Sequence, residues 1–204
     1  SGIRHSTADI HPKRQEDINR GLRALMESSD VPGELKKLLG YRFDEPQWER
    51  LGEDELEDFL SIVDERARRR ILFTLRMHRW TEFALKILRG EKISDNEGSR
   101  MLGEEGWQRI KSAAATERNY MILGEIMNEQ HSLLRDLYDV SLPELEDICN
   151  AALDAGAYGA KISGAGMGGS IIALVKDEEH GKVVIDACMK TSAKDGWVSK
   201  VGEG

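Results

Sequence analysis

Four glycines, Gly164, Gly166, Gly168 and Gly169, crowd residues 164–169, and the short run Ile171-Ile172-Ala173-Leu174-Val175 follows after Ser170. Glycine reaches φ > 0 at little steric cost and lets a backbone come close to a ligand. Successive turn-forming residues aim several N–H groups at one anion, the arrangement called a nest. The segment is therefore a candidate phosphate cradle. Residues 164–169 also fit the pattern G-x-G-x-x-G, but a dinucleotide fingerprint needs a helix after the loop. The β-branched run after Ser170 reads instead as a strand. Asp186, about twenty positions on, lies in a helical pattern rather than at a strand end. A P-loop is excluded because no Gly-Lys-Ser/Thr follows. Two readings stand on spacing alone: a phosphate cradle, or a tight glycine-rich connection between two strands.

Composition narrows the class. A chain of 204 residues, 40% hydrophobic and 32% charged, fits one good-sized globular domain or two small ones. No run of eighteen apolar residues occurs, so no helical membrane span is expected, and no apolar signal stretch opens the chain. Cys149 and Cys188 sit in helical patterns without metal-ligand spacing and read as reduced core thiols of a cytoplasmic protein. A net charge of −8 argues against a general nucleic-acid binder. The chain opens at Ser1 without a methionine and reads as a fragment or a processed product.

Along the chain, Ile18, Leu22, Leu25 and Met26 mark a helix that starts near Pro12. Residues 29–52 read as turns joining short helical pieces. Asp64 to about Arg89 reads as one long helix, and Asn119 to Tyr138 as a second. Ser141-Leu142-Pro143-Glu144 has capping-box spacing and opens a helix that Gly156 stops. Strand, glycine loop and strand follow, then a helical run from Glu178 to Lys190 and a closing strand from Gly196 to Val201. Residues 90–118 are polar, with Gly90, Gly98, Gly103 and Gly106 as punctuation. Helices early and strands late favour an α+β fold: a four-stranded antiparallel sheet, from the N-terminal segment and three late strands, covered by helices.

Several segments agree in order with one family. Gln130-His131-Ser132-Leu133-Leu134-Arg135-Asp136 and Val140-Ser141-Leu142-Pro143-Glu144-Leu145 resemble a characteristic galactokinase stretch. Gly156 to Ser170 resembles the third motif of the GHMP small-molecule kinases, in wording closest to archaeal members. Ser1-Gly2-Ile3-Arg4-His5-Ser6, His11-Pro12-Lys13-Arg14 and Arg66-Ala67-Arg68-Arg69 are similar to further family segments. The chain is thus similar to the C-terminal half of galactokinases over most of its length. The family's Pro-Gly-Arg segment and its serine-rich nucleotide loop are absent. Residues 91–118 read as an insertion relative to typical members.

The resemblance implies a GHMP kinase C-terminal domain over residues 1–204, in an ATP-dependent sugar-1-kinase that uses Mg²⁺. Its reaction would pass the γ-phosphoryl of ATP to the anomeric hydroxyl of galactose or a related sugar. A GHMP kinase for a uronic acid, arabinose or mevalonate, and a non-catalytic binding protein of the same fold, are the alternatives. Gly164, Ala165, Gly166, Met167, Gly168 and Gly169 are the implied nucleotide-phosphate residues, and Ser163 and Ser170 flank them. His11 stands where the family places a sugar-contacting Tyr, so it is the implied substrate residue. The catalytic Asp is implied to lie in an N-terminal domain missing from this chain, so no catalytic residue is nominated here. Mg²⁺ would ride on nucleotide phosphates, with no protein metal cluster. The expected partners are the sugar, ATP and the missing domain, with no nucleic acid and no membrane. Arg14 fits either an internal salt bridge or the sugar site. His131 and Arg135, at i and i+4, read as structural.

Overall fold

A computed structural model describes residues 10–200 of the chain, in two compact units. Among the described residues, one unit holds 10–82 with 132–139, and the other holds 83–131 with 140–200. The expected first strand, residues 1–6, lies outside the described residues.

The first unit is helical. Helix α1 (Ile10–Glu27) buries Ile18, Leu22 and Leu25 at spacings of four and three, one stripe of a 3.6-residue period. Two single-turn helices, α2 (Gly33–Lys36) and α3 (Glu53–Leu56), precede the long α4 (Glu65–Leu88). Asp64 starts α4: its Oδ1 accepts from the amides of Arg66 and Ala67, both at 3.1 Å. The α1 stripe packs with Leu56, Ala67, Ile71 and Leu75 in one core. Gly21 is where α1 comes closest, since a Cβ there would meet Ile71 Cδ1 at 2.8 Å and Val63 Cγ1 at 2.9 Å.

The second unit carries the sheet. Residues 91–118, expected as an insertion, contain two helices that the glycine count concealed: α5 (Asp95–Leu102) and α6 (Glu104–Ser112). Gly103, at φ +73°, makes the sharp joint, and Met101, Trp107 and Ile110 are buried. Asp95 ties the pair together, accepting from Trp107 Nε1 at 2.9 Å and from Lys111 Nζ at 3.0 Å. Gly98 is no break: it sits inside α5 because the indole of Trp107 leaves no room for a Cβ.

Helix α7 (Ala115–Asp136) follows, then α8 (Pro143–Asp154), β1 (Gly159–Ser163), β2 (Ser170–Leu174) and α9 (Glu178–Cys188). The strands pair antiparallel, with Gly159 opposite Leu174, Lys161 opposite Ile172 and Ser163 opposite Ser170. Alternation puts Ala160 and Ile162, with Ala173 and Ile171 across from them, on the face toward Cys149, Ala152 and Val184. Full burial of Ile162 alone stabilises by about 1.5–3 kcal/mol. Side chains of α7 seal the free edge of β1: Asn128 Oδ1 accepts from Ala160 N at 3.0 Å, and His131 Nδ1 accepts from Ile162 N at 3.4 Å. Gly156, at φ +94°, ends α8, its amide returning to Leu153 O at 2.9 Å.

Three details depart from the expectation. The described residues hold a two-stranded sheet, not four strands. Residues 196–200 are not a strand: Val198 packs against Gly181, and Gly196 against Ile185, so they lie along α9. Ser141 does not cap α8. Leu142 takes that position with Pro143 in the first turn, because the Ser141 hydroxyl donates to Glu146 Oε1 instead.

Candidate functional site

The glycine loop joins β1 to β2, as its β-branched flank requires. Gly164 (φ +90°), Gly166 (+79°), Met167 (+55°), Gly168 (+129°) and Gly169 (+81°) all occupy the left-handed half of backbone space. Four consecutive residues there form a tight curl that the L-residue Met167 joins only under constraint. The constraint is visible. Met167 N donates to Val140 O at 2.6 Å, and a Cβ on Gly166 would stand 2.5 Å from that same oxygen and 2.6 Å from Val140 Cβ. Glycine at 166 is thus demanded twice, by φ and by close approach. Gly166 and Gly168 are buried, while Gly164 and Gly169 are exposed. Among the described residues, the amides of Gly164, Ala165, Gly166 and Gly168 donate to no other backbone group. Such a row of unengaged N–H groups on a curled backbone is what an anion-binding nest needs.

Two side-chain groups border this loop. Ser163 and Ser170, paired across the strand ends, are both exposed and share a sheet face with Lys161. Lys161 is half-buried without an ion pair among the described residues, and burial pushes its ammonium pKa down. The loop's far side depends on Val140, and the next residue, Ser141, donates to Glu146. Glu146 Oε1 lies 3.0 Å from His131 Nε2, and His131 is buried. Sequence reading placed His131 and Arg135 together on α7. Here His131 bonds β1 and α8, whereas Arg135 reaches its neighbour Asp136, with Nε 2.7 Å from Oδ1.

His11 and Arg14 lie in the first unit. His11 is half-buried, its ring centroid 6.1 Å from that of Tyr138, which stacks on Phe73 at 4.2 Å. Arg14 is occupied: Nε donates to Tyr138 O at 3.0 Å and a terminal nitrogen to Asp139 O at 3.2 Å. Arg69 and Arg70 join it, donating to Asp136 O and Leu137 O respectively. Three guanidinium groups therefore serve the carbonyls that the end of α7 leaves without intrahelical partners. Asp139, at φ +52°, balances their charge, bound by Arg69 at 2.8 Å and by Arg70. Burial raises its carboxyl pKa, but Arg70, Arg69 and Arg14 outweigh that and hold it below the ordinary value. This network favours the internal reading of Arg14. Sequence spacing did not disclose it, because each arginine stands more than sixty residues from the groups it bonds.

Among the described residues, no cluster of three His, Cys, Asp or Glu gathers with room for a metal ion, and no helix is long and apolar enough to cross a membrane.

Comparison with known proteins bears on the same segments. Residues 112–194 match the family model described as GHMP kinases C terminal. Galactokinase of Bacillus subtilis is 36% identical over 107 residues, 49% of this chain. The human and Saccharomyces cerevisiae galactokinases are 35% and 33% identical over 44% and 48% of it. These matches span only 19–27% of the relatives' own lengths. A solved structure of Lactococcus lactis galactokinase complexed with galactose superposes with a TM-score of 0.61, covering 93% of this chain and 40% of that one at 21% identity. That likeness establishes the α+β, helix-rich fold. Residues 112–194, with the glycine loop inside them, are thus similar to the C-terminal domain of GHMP kinases, in a chain that resembles galactokinases.

Proposed function

We propose that residues 164–169 form the phosphate-contacting wall of the nucleotide site in an ATP-dependent sugar kinase of the galactokinase type. The observation that carries this reading is the curl of four consecutive left-handed residues in a loop where the amides of Gly164, Ala165, Gly166 and Gly168 donate to no other backbone group, set inside the family-matched segment. Such amides stabilise charge without reorganising, and phosphoryl transfer depends mostly on positioning and electrostatics. The loop offers backbone amides and no carboxylates, and glycine at 166 lets it close against Val140. Ser163 and Ser170 add hydroxyl donors at its rim. In this reading Mg²⁺ is held by the nucleotide's phosphates, since it binds through few protein ligands. The acceptor is the anomeric hydroxyl of galactose or a related sugar, and His11 is the proposed sugar contact. An imidazole donates or accepts at neutral pH but is shorter than a phenol. A second domain supplies the catalytic Asp and the remaining nucleotide contacts, so the 204-residue chain alone leaves the sugar unphosphorylated.

The test is a titration of the 204-residue chain with ATP, with and without Mg²⁺, followed at backbone amides by NMR. Shifts should concentrate at residues 163–170. Shifts confined to other segments, or turnover of galactose by this chain above a contaminant control, would overturn the reading.

A further inference from the structure

A ring of bonds encloses the glycine loop. Met167 N donates to Val140 O at 2.6 Å, which fixes the far side of the curl. The next residue along, Ser141, donates its hydroxyl to Glu146 Oε1. That oxygen also lies 3.0 Å from His131 Nε2. The other ring nitrogen, His131 Nδ1, accepts from Ile162 N at 3.4 Å, two residues before the loop begins. The path from Ile162 through His131, Glu146, Ser141, Val140 and Met167 returns to the loop. Both sides of the curl are therefore tied to one buried imidazole. Each contact specifies a protonation state. Nδ1 accepts an amide proton, so it must be bare. Nε2 faces a carboxylate, so it carries the hydrogen. Cys149 Sγ, 3.9 Å from Nδ1, adds only a weak contact on that same side.

We infer that His131 is a positioning residue for the glycine loop, acting as a neutral imidazole protonated on Nε2 that clamps β1 to the Val140–Ser141 segment; the inference rests on the phosphate reading of the loop. His131 itself touches no ligand. It acts by holding the Ile162 and Met167 backbones so that the loop amides converge. A preformed nest binds an anion more tightly than one that must be ordered on binding, because the ordering free energy no longer opposes association.

Two substitutions separate the nitrogens. In His131→Asn a side-chain oxygen stands near the position of Nδ1, so the Ile162 amide keeps an acceptor while Glu146 loses the imidazole donor. In His131→Gln the amide reaches toward Nε2, so Glu146 keeps a donor and Ile162 loses its acceptor. Binding of inorganic tripolyphosphate to the 204-residue chain is read from the amides of residues 163–170, alongside hydrogen exchange at Ile162 and Met167. His131→Gln should weaken tripolyphosphate by about 5-fold, the weight of one hydrogen bond, and speed exchange at both amides. His131→Asn keeps that bond but gives up the one to Glu146, so it should weaken binding by a similar factor while quickening exchange at Met167 and leaving Ile162 protected. The ring ¹⁵N shifts of the parent chain should report a bare Nδ1 and a protonated Nε2. A proton on Nδ1, or equal effects of Asn and Gln on exchange, overturns the inference, and the ring measurement decides even if a variant fails to fold. If the parent chain ignores tripolyphosphate while Gln speeds exchange at Ile162 and Asn speeds it only at Met167, the clamp stands and the phosphate reading of the loop falls.

Discussion

Gly166→Ala tests why the loop is built from glycine, with Gly164→Ala as its internal control. Both positions have φ in the left-handed region, +79° and +90°, so both alanines carry the same conformational penalty, about 1–2 kcal/mol. They differ in surroundings. Around Gly164 nothing stands within 4 Å of a built Cβ, whereas at Gly166 the new methyl would meet Val140 O at 2.5 Å and Val140 Cγ2 at 2.9 Å. Overpacking of that kind adds about 1–3 kcal/mol. The loop can relieve it by releasing the Met167–Val140 bond, which forgoes about 0.5–1.5 kcal/mol and so limits the total. Gly166→Ala should therefore lie about 0.5–1.5 kcal/mol below Gly164→Ala. At about 2–4 °C per kcal/mol for a chain of this size, the two melts should differ by roughly 3 °C. The assay is paired thermal melts with hydrogen exchange read at the Met167 amide. Exchange there should quicken in Gly166→Ala and stay unchanged in Gly164→Ala. Coincident melts with unchanged Met167 exchange would refute the argument, because the loop would then have no tight approach to lose.

Three other outcomes follow from single contacts. Gly98→Ala should destabilise α5–α6 by about 1–3 kcal/mol through the Trp107 ring, although alanine in a helix interior ordinarily gains about 1 kcal/mol; a higher melting temperature would show that the ring moves aside. Arg70→Met should cost about 1–3 kcal/mol in urea unfolding, because it takes the donor from the Leu137 carbonyl and one of two arginine partners from Asp139. The Asp139 carboxyl is held below its unfolded value, so its contribution is complete above that value and fades as pH falls through the folded one. The acid limb of the stability profile should therefore be shallower in Arg70→Met, and an unchanged limb would exclude this coupling. Lys161→Met should raise the melting temperature at neutral pH. Burial lowers the folded pKa of this base, so its penalty is complete below that pKa and disappears as pH rises past the unfolded value; the gain should be gone by about pH 11, and a pH-independent gain would point to packing instead.

The long helices were legible because their apolar stripes are continuous, as at Ile18, Leu22 and Leu25. The glycine loop was legible because its flank is β-branched. Residues 95–112 were misread for a physical reason: Gly98 is a space-making residue inside a helix, and sequence alone equates such a glycine with a stop. The capping-box spacing at Ser141 was present, yet the hydroxyl donates to the Glu146 carboxylate instead of accepting from the Glu144 amide. At the candidate site, the loop residues could be named from sequence. The grip on them could not, since Val140, His131 and Glu146 are brought to the loop only by the packing of α7, α8 and β1.

The way α7 closes one side of the hairpin gives the sheet a direction. The amides of Ala160 and Ile162, which would otherwise receive a neighbouring strand, are consumed by Asn128 and His131. On β2 the matching amides, those of Ile171 and Ala173, have no partner among the described residues. Backbone pairing rewards an incoming strand only where donors and acceptors are still available. The hairpin therefore behaves as a seed with a single growing end, and any further strand joins it beside β2. Two side chains of one helix thus leave β2 as the edge open to a further strand.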